Sequence, residues 1–275
     1  MDTVIGLGAA GCNIANAFAK YTQYDVYKID VGLEGENCFA VEERYSPEDY
    51  ERHSPDVSNF LQHIDGDVLF IVAGGGYISG MSLQVLKNLK HCNINILYLV
   101  PNNEDLSNIG FLQHKLTYSI FQEYTRSGLF KKMYIVSNEL LESVVGDVPL
   151  LEHNNKINEY LVNMIHWINI FSNSDPVLDN SADPRDTARI ATFGVLAIRE
   201  GAEQNLFPIQ NVVDKCYYYA ISENSLKTDG KLLKNIREHT SQNLIRASYQ
   251  VFSTKHQSSF CYYISYTNTI QPLDS

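Results

Sequence analysis

Basic residues are scarce in this chain. Its 275 residues hold 21 Lys and Arg against 32 Asp and Glu, for a formal net charge of −11. A dedicated nucleic-acid binder carries a basic footprint, so direct nucleic-acid binding is not expected. Long apolar runs are missing too: no stretch is long enough to cross a bilayer, and no membrane span is expected. The N-terminus does not read as a secretory signal, because Met1-Asp2-Thr3 has no positive region and a glycine turn breaks the apolar run behind it. The five cysteines, Cys12, Cys38, Cys92, Cys216 and Cys261, are odd in number and include no CxxC. This gives no zinc signature and fits a reduced, cytoplasmic compartment. The eight histidines form no HExxH and no close pair.

What the chain does have is two glycine-rich turns. The first is Gly6-Leu7-Gly8-Ala9-Ala10-Gly11-Cys12-Asn13; the second is Ala73-Gly74-Gly75-Gly76-Tyr77-Ile78-Ser79-Gly80. Each follows a short apolar run of strand type and precedes helical periodicity. That context aims backbone N–H groups and a helix N-terminus at an anion, usually phosphate.

The intervening pattern alternates strand and helix. Thr3–Leu7, Asp25–Ile29, Val68–Val72, Ile94–Val100 and Lys132–Val136 read as strands. Asn13–Tyr21, Met81–Lys90 and residues 104–127 read as helices, and the polar residues 33–60 as loop with short helical pieces. The rhythm predicts an α/β fold with a parallel sheet covered on both faces. Beyond it, apolar residues from Ile157 to Phe171 recur at helical spacing, predicting a long buried helix. The polar segment Ser172–Asp186 is expected to lead into a second helix over Thr187–Arg199. The remainder reads as strand Lys215–Ile221, helix Asp229–His239, strand Leu244–Phe252 and strand Ser259–Tyr266. The Tyr217-Tyr218-Tyr219 and Tyr262-Tyr263 runs read as sheet packing. The expected division is 1–153, a nucleotide-binding domain; 154–172, the connecting helix; and 173–275, a smaller subdomain.

Taken alone, Gly6-x-Gly8-x-x-Gly11 matches the dinucleotide fingerprint, and Asp30 stands about 20 residues on, where a ribose-binding acid sits. A Rossmann NAD(P)-binding enzyme is thus one reading. It leaves the second glycine turn without a purpose, and no Lys, His or Tyr stands out as a proton-transfer group.

The order of motifs also resembles the tubulin/FtsZ superfamily, on the FtsZ, plasmid and phage side. Val4 to Asn13 is similar to the first phosphate loop of FtsZ, and Gly74 to Gly80 stands where the family carries GGGTGTG. Val136-Ser137-Asn138-Glu139-Leu140-Leu141-Glu142 resembles "PNDRLLE". Pro149 to Glu159 resembles the start of the family's central helix, and Asn180-Ser181-Ala182-Asp183-Pro184-Arg185-Asp186 lies where FtsZ has "NVDFAD".

The resemblance spans nearly the whole chain. It implies a Rossmann-like GTPase domain, a central helix and a smaller α+β activation subdomain. It further implies a GTP- or GDP-binding protein that assembles head to tail with itself and hydrolyses GTP between protomers. Nucleotide contacts would come from Gly8, Ala9, Ala10, Gly11, Cys12, Asn13, Gly74, Gly75, Gly76, Tyr77, Ser79 and Gly80, with Asn138 and Asn158 reading the base. Cys12 is assigned packing, not reactivity. Asp183 and Asp186, three residues apart at the start of the expected helix, would orient the attacking water; Asp179 competes for that role. Mg2+ would be held through phosphates, with no protein ligand assigned. Glu104 and Lys115 are the nearest equivalents of the family's ribose contacts.

Departures are equally visible. Tyr77 and Ile78 replace a threonine and a glycine of the signature, leaving Ser79 as the only hydroxyl that remains of its Thr-Gly-Thr. The C-terminal part reads as short, lacking a first strand or helix. A fold kept without hydrolysis, serving as a structural or interaction protein, is the alternative these changes favour. So trimmed a member suggests a phage- or mobile-element-encoded tubulin acting in a host cytoplasm; adaptor and cargo are not indicated.

Overall fold

The computed structural model describes residues 1–241 and 245–273. The chain divides into two units, Met1–Val162 with the segment from Ile270, and Asn163–Thr269. Among the described residues no helix is long and apolar enough to cross a membrane.

The first unit alternates strand and helix. Its elements are β1 (Thr3–Leu7), α1 (Gly8–Phe18), β2 (Asp25–Val31), β3 (Cys38–Val41), α2 (Pro47–Arg52), α3 (Ser58–Leu61), β4 (Asp67–Ala73), α4 (Ser82–Lys87), β5 (Asn93–Val100), α5 (Asn108–Ser127), β6 (Lys132–Ser137) and α6 (Asn138–Val145). The long helix α7 (His153–Ser172) begins here and continues into the second unit. The strands lie in the order β3-β2-β1-β4-β5-β6, and every neighbouring pair is parallel. Val68–Val72 and Ile94–Leu99 are buried throughout, as expected of strands covered on both faces, which read as unbroken apolar runs. Local chemistry fixes the helix ends. Ser107 caps α5 by accepting from Gly110 N at 3.1 Å, and Gly128, at φ 89°, closes it in the left-handed region.

Two readings of this unit need correction. Helix α1 starts at Gly8 rather than Asn13, so the first glycine turn is itself the first turn of the helix. The helix expected over Met81–Lys90 begins earlier, as a 3-10 turn over Tyr77–Met81, and ends at Lys87. Within residues 33–60 the short strand β3 joins the sheet beside β2.

The second unit holds β7 (Leu178–Asn180), β8 (Ile190–Ala197), β9 (Ala202–Asn205), β10 (Val212–Ser222), α8 (Glu223–Thr228), α9 (Leu232–Ser241), β11 (Arg246–Thr254) and β12 (Phe260–Thr267). Its strands run in the order β8-β12-β10-β11-β7, with β9 on β8. All pairs are antiparallel except β10 with β11. Alternation along β10 sorts its aromatics to two faces. Tyr217, Tyr219 and Ile221 pack with Ile236 of α9 and with Tyr263. Tyr218 and Ala220 pack with Trp167 and Phe171 of α7. The tyrosine runs are sheet packing. Of the strand read over Leu244–Phe252, Leu244 lies outside the described residues; β11 begins at Arg246.

The helix expected over Thr187–Arg199 is absent: that stretch is strand β8, hydrogen-bonded to both β12 and β9. The strand thought to be lacking from this part is therefore present. Its tell-tale is Gly194. A Cβ there would lie 2.2 Å from Cζ of Tyr263, so the glycine marks a strand across which a neighbouring ring lies close.

Candidate functional site

In an open parallel sheet, ligands collect at the carboxyl ends of the strands, where the strand order reverses. Here that point lies between β1 and β4, and the two glycine turns leave the ends of those two strands. The sheet thus brings together segments more than sixty positions apart in sequence.

The first turn is built by backbone contact. A Cβ on Gly6 would lie 2.4 Å from the Gly11 carbonyl oxygen, and one on Gly11 would lie 2.5 Å from the Ile71 carbonyl oxygen of β4. These glycines let strand, helix and neighbouring strand approach closely. Gly8 takes φ 72°, in the left-handed region where a side chain is strained. Ala9, Ala10 and Asn13 are exposed. No side chain caps α1, and no acid stands in its first turn. Its leading N–H groups and the positive end of its dipole are therefore free for an anion. Cys12 points the other way. Its buried Sγ lies 3.3 Å from the Gly6 carbonyl and 3.6 Å from that of Ile29. Burial, then the charge of Asp30, pushes its pKa up to about 12, so it is an inert packing thiol.

The leading glycines of the second turn lie on side chains. A Cβ on Gly74 would lie 2.1 Å from His114 Nδ1 and 2.6 Å from the Tyr98 hydroxyl. Those two groups form a buried pair at 2.8 Å, with rings stacked at 15°. Burial pulls the His114 pKa down to about 4, leaving a neutral ring whose Nδ1 pairs with the Tyr98 hydroxyl, and that hydroxyl also reaches the His114 backbone carbonyl at 3.2 Å. Gly75, at φ 85°, would meet Leu106, and Gly80 would meet the Pro47 carbonyl oxygen at 2.2 Å. Gly76 is exposed, and a Cβ there would meet open space. Tyr98, His114, Leu106 and Pro47 are the supports that reading the sequence missed. Only the aromatic end of β5 hinted at any of them.

The two turns meet at one contact: a Cβ on Gly8 would lie 2.6 Å from Cγ2 of Ile78. Tyr77 and Ile78 are half-buried. Ser79 is buried, and its hydroxyl donates to the Gly76 carbonyl at 2.6 Å while accepting from Gln113 Nε2 at 3.0 Å. The one aliphatic hydroxyl of the turn is committed to the turn's own scaffold.

Asn138 is the first residue of α6, at the same carboxyl edge of the sheet. Ser137, not Asn138, caps that helix. Asn158 is half-buried on α7. Glu104 is exposed in a single 3-10 turn after β5, and Lys115 lies over the Phe111 ring at 4.5 Å. Asp30 is half-buried at the end of β2, where burial raises its pKa.

In the second unit, Asp183 and Asp186 are both exposed on the loop between β7 and β8. Because no helix follows, the expectation that they flank a helix start is withdrawn. The loop is pinned instead. Buried Asp214 accepts the Arg185 backbone N–H at 2.8 Å and faces the Arg185 and Arg246 guanidinium groups at 3.8 and 3.9 Å. Asp183 and Asp186 stand on either side of that anchor, and Asp183 lines a cavity of about 170 Å³ with Tyr218, Ser248 and Gln250. Asp179 lies on β7, where the Ser181 N–H and hydroxyl hold its pKa down.

No family model matches the sequence. A curated relative, the GTPase Obg of Blochmanniella pennsylvanica (strain BPEN), is 26% identical over 129 aligned residues, covering 42% of this chain. The match spans only 36% of that protein's length. Solved structures agree far more extensively. TubZ of Bacillus thuringiensis serovar israelensis, in GDP-form protofilaments, superposes with a TM-score of 0.73 at 14% identity, covering 99% of this chain and 88% of that one. An empty FtsZ dimer from M. jannaschii gives 0.69 at 12% identity, covering 96% and 87%. CetZ2 from Haloferax volcanii, in a GTPγS-bound protofilament, gives 0.66 at 12% identity, covering 97% and 92%. Near-complete coverage of both partners, together with the strand order and the two glycine turns at the switch point, identifies the architecture: the chain has the tubulin/FtsZ-like fold.

Proposed function

We propose that this chain binds GTP across its two glycine turns and assembles head to tail, each protomer completing the hydrolytic site of the next. The observation that carries the reading is the meeting of the two turns at the switch point, beside the uncapped N-terminus of α1 with Ala9, Ala10 and Asn13 exposed. Backbone N–H groups from Gly8 to Cys12 take the phosphates there, and Asn13 follows at the edge of the cradle. Gly74, Gly75, Gly76, Tyr77 and Gly80 close over the terminal phosphate through backbone alone, because the Ser79 hydroxyl is engaged. Asn138 and Asn158 present amides that donate and accept together, as a guanine edge requires. The GDP- and GTPγS-form protofilaments of TubZ and the GTPγS-bound protofilament of CetZ2 support both nucleotide and assembly.

Exposed Asp183 and Asp186, held out by the Arg185–Asp214 anchor, suit a role on the neighbouring protomer's nucleotide. A carboxylate there orients water toward the γ-phosphorus and takes up its proton, while the bond to the leaving GDP oxygen breaks. Mg2+, held by phosphate oxygens and water, would supply charge neutralisation.

A second reading, a filament former that binds nucleotide without turning it over, is favoured by one specific observation: Ile78 lies against Gly8 inside the cradle. Phosphate release measured across protein concentration separates the two. The GTPase reading expects turnover that climbs sharply above a critical concentration, and Asp183→Ala and Asp186→Ala that keep GTP binding and filaments but lose turnover by about a hundredfold or more. GTP binding and filaments with no phosphate release establish the second reading; no GTP binding at all overturns both.

A further inference from the structure

At the opposite end of the first unit's sheet, before β4 and β5 begin, three side chains of different chemistry converge. Asp65 closes the turn that leads into β4, and the adjacent His91 and Cys92 close the turn that leads into β5. One donor atom from each lies within 4.8 Å of the other two. A tetrahedral zinc ion with bonds of about 2.0 to 2.3 Å sets its ligands about 3.3 to 3.8 Å apart. Asp65 and His91 are exposed and Cys92 is half-buried, so the first two side chains have room to turn toward an ion.

The two turns are held in register by backbone. The Asn93 N–H donates to the Gly66 carbonyl at 2.8 Å, and the Cys92 N–H to that of Leu89 at 2.8 Å. The Asp65 carboxylate is oriented by the Gly66 N–H at 2.8 Å through one oxygen, Oδ1. His91 Nε2 lies 2.8 Å from the Ile64 carbonyl oxygen, and Cys92 Sγ lies 3.5 Å from the same atom. The first contact requires Nε2–H, which assigns the lone pair to Nδ1. An imidazole tied to a backbone carbonyl through its other nitrogen is how proteins fix a metal-binding tautomer.

We propose that Asp65, His91 and Cys92 form a binding site for a divalent transition-metal ion, zinc by preference, with one position left open to water. The donor set of carboxylate, imidazole and thiolate suits a borderline-soft ion and argues against Mg2+ or Ca2+, which take oxygen. Cys92 gives up its thiol proton to solvent as the S–metal bond forms, and no oxidation change is involved. Because the ligands come from two turns, the ion clips together the starting ends of β4 and β5. The far end of β4 carries the second glycine turn. None of this depends on the nucleotide reading.

The site was not legible as a motif. Its cysteine and histidine are neighbours, and its third ligand lies 26 positions away, so no metal spacing appears in the sequence.

The test is titration of chelator-stripped, nucleotide-free protein with Zn2+ alone and, separately, with Co2+, in excess Mg2+. One zinc per chain is expected, with a thiolate-to-cobalt charge-transfer absorption and a rise in Tm on zinc addition. Cys92→Ser should abolish the absorption and weaken zinc binding by more than about a hundredfold, beyond the cost of losing a second-shell partner. Asp65→Asn, at an exposed position that leaves folding intact, should weaken binding while keeping the cobalt absorption. Zinc binding unchanged in both variants, or a cobalt–thiolate absorption surviving Cys92→Ser, would place the ion on another thiol and overturn the proposal. Absence of stoichiometric zinc in the wild-type protein would overturn it as well.

Discussion

The two glycine turns look alike in sequence and are made in opposite ways. In the first, glycine is required because backbone meets backbone: Gly6 against Gly11, and Gly11 against Ile71. In the second, the leading glycines lie on side chains, Gly74 on His114 and Tyr98 and Gly75 on Leu106, while Gly80 at its far end meets backbone, at the Pro47 carbonyl. Backbone contact leaves nothing for a substitution to vary. Side-chain contact can be rebuilt by substitution. The second turn can therefore carry Tyr77 and Ile78, where the FtsZ signature it resembles has other residues, without disturbing the sheet beneath it.

The sharpest way to break this comparison is to give each turn one methyl group. Gly11→Ala drives a Cβ to 2.5 Å from the carbonyl oxygen of a central strand, and neither side can yield. Urea unfolding should show a loss of about 3 kcal/mol or more, with the m-value unchanged. Gly76→Ala, at φ −72° with open space around it, should stay within about 0.5 kcal/mol. Equal losses at the two positions would dissolve the distinction.

How much of this was readable follows the same division. β1, β4 and β5 are visible because buried parallel strands need apolar residues on both faces, and α7 because its apolar residues keep helical spacing. β8 was misread because Ala188, Ala191 and Ala197 lend the segment a helical look. The decisive residue was Gly194, whose reason lies in the Tyr263 ring of a strand nearly seventy positions later. The first glycine turn declares itself through the spacing of its own glycines, Gly6 packing on Gly11, although Gly11 in turn packs on Ile71, sixty positions later. The second does not. Its supports, Tyr98 and His114, lie far along the chain and become legible only once β5 and α5 are folded beside it.

Those supports tie the second turn to pH. Burial holds the folded pKa of His114 near 4 against an ordinary value of 6.5, so the unfolded chain takes up the proton first as pH falls. The stability this ring contributes is complete above the unfolded value and is lost as pH drops toward 4. Between pH 7 and pH 5 the loss should be about 2 kcal/mol. His114→Gln, whose amide can either donate to or accept from the Tyr98 hydroxyl, should flatten that part of the profile in urea titrations at stepped pH. An unchanged slope would mean that other groups set it.

The smallest effect lies where the turns touch. Ile78 contributes a half-buried side chain whose Cγ2 sits against Gly8, at the position where the FtsZ signature it resembles has a glycine. If that methyl occupies space a phosphate would use, Ile78→Ala removes an obstacle at little cost in packing. GTP should then bind up to about tenfold more tightly, a gain near 1.4 kcal/mol, with stability lowered by roughly 1 kcal/mol or less. Isothermal titration with GTP beside a urea melt reads both quantities from one preparation. Weaker GTP binding would give Ile78 the opposite role, a wall that holds the first turn in shape. The second turn would then have exchanged a hydroxyl for packing without closing the cradle.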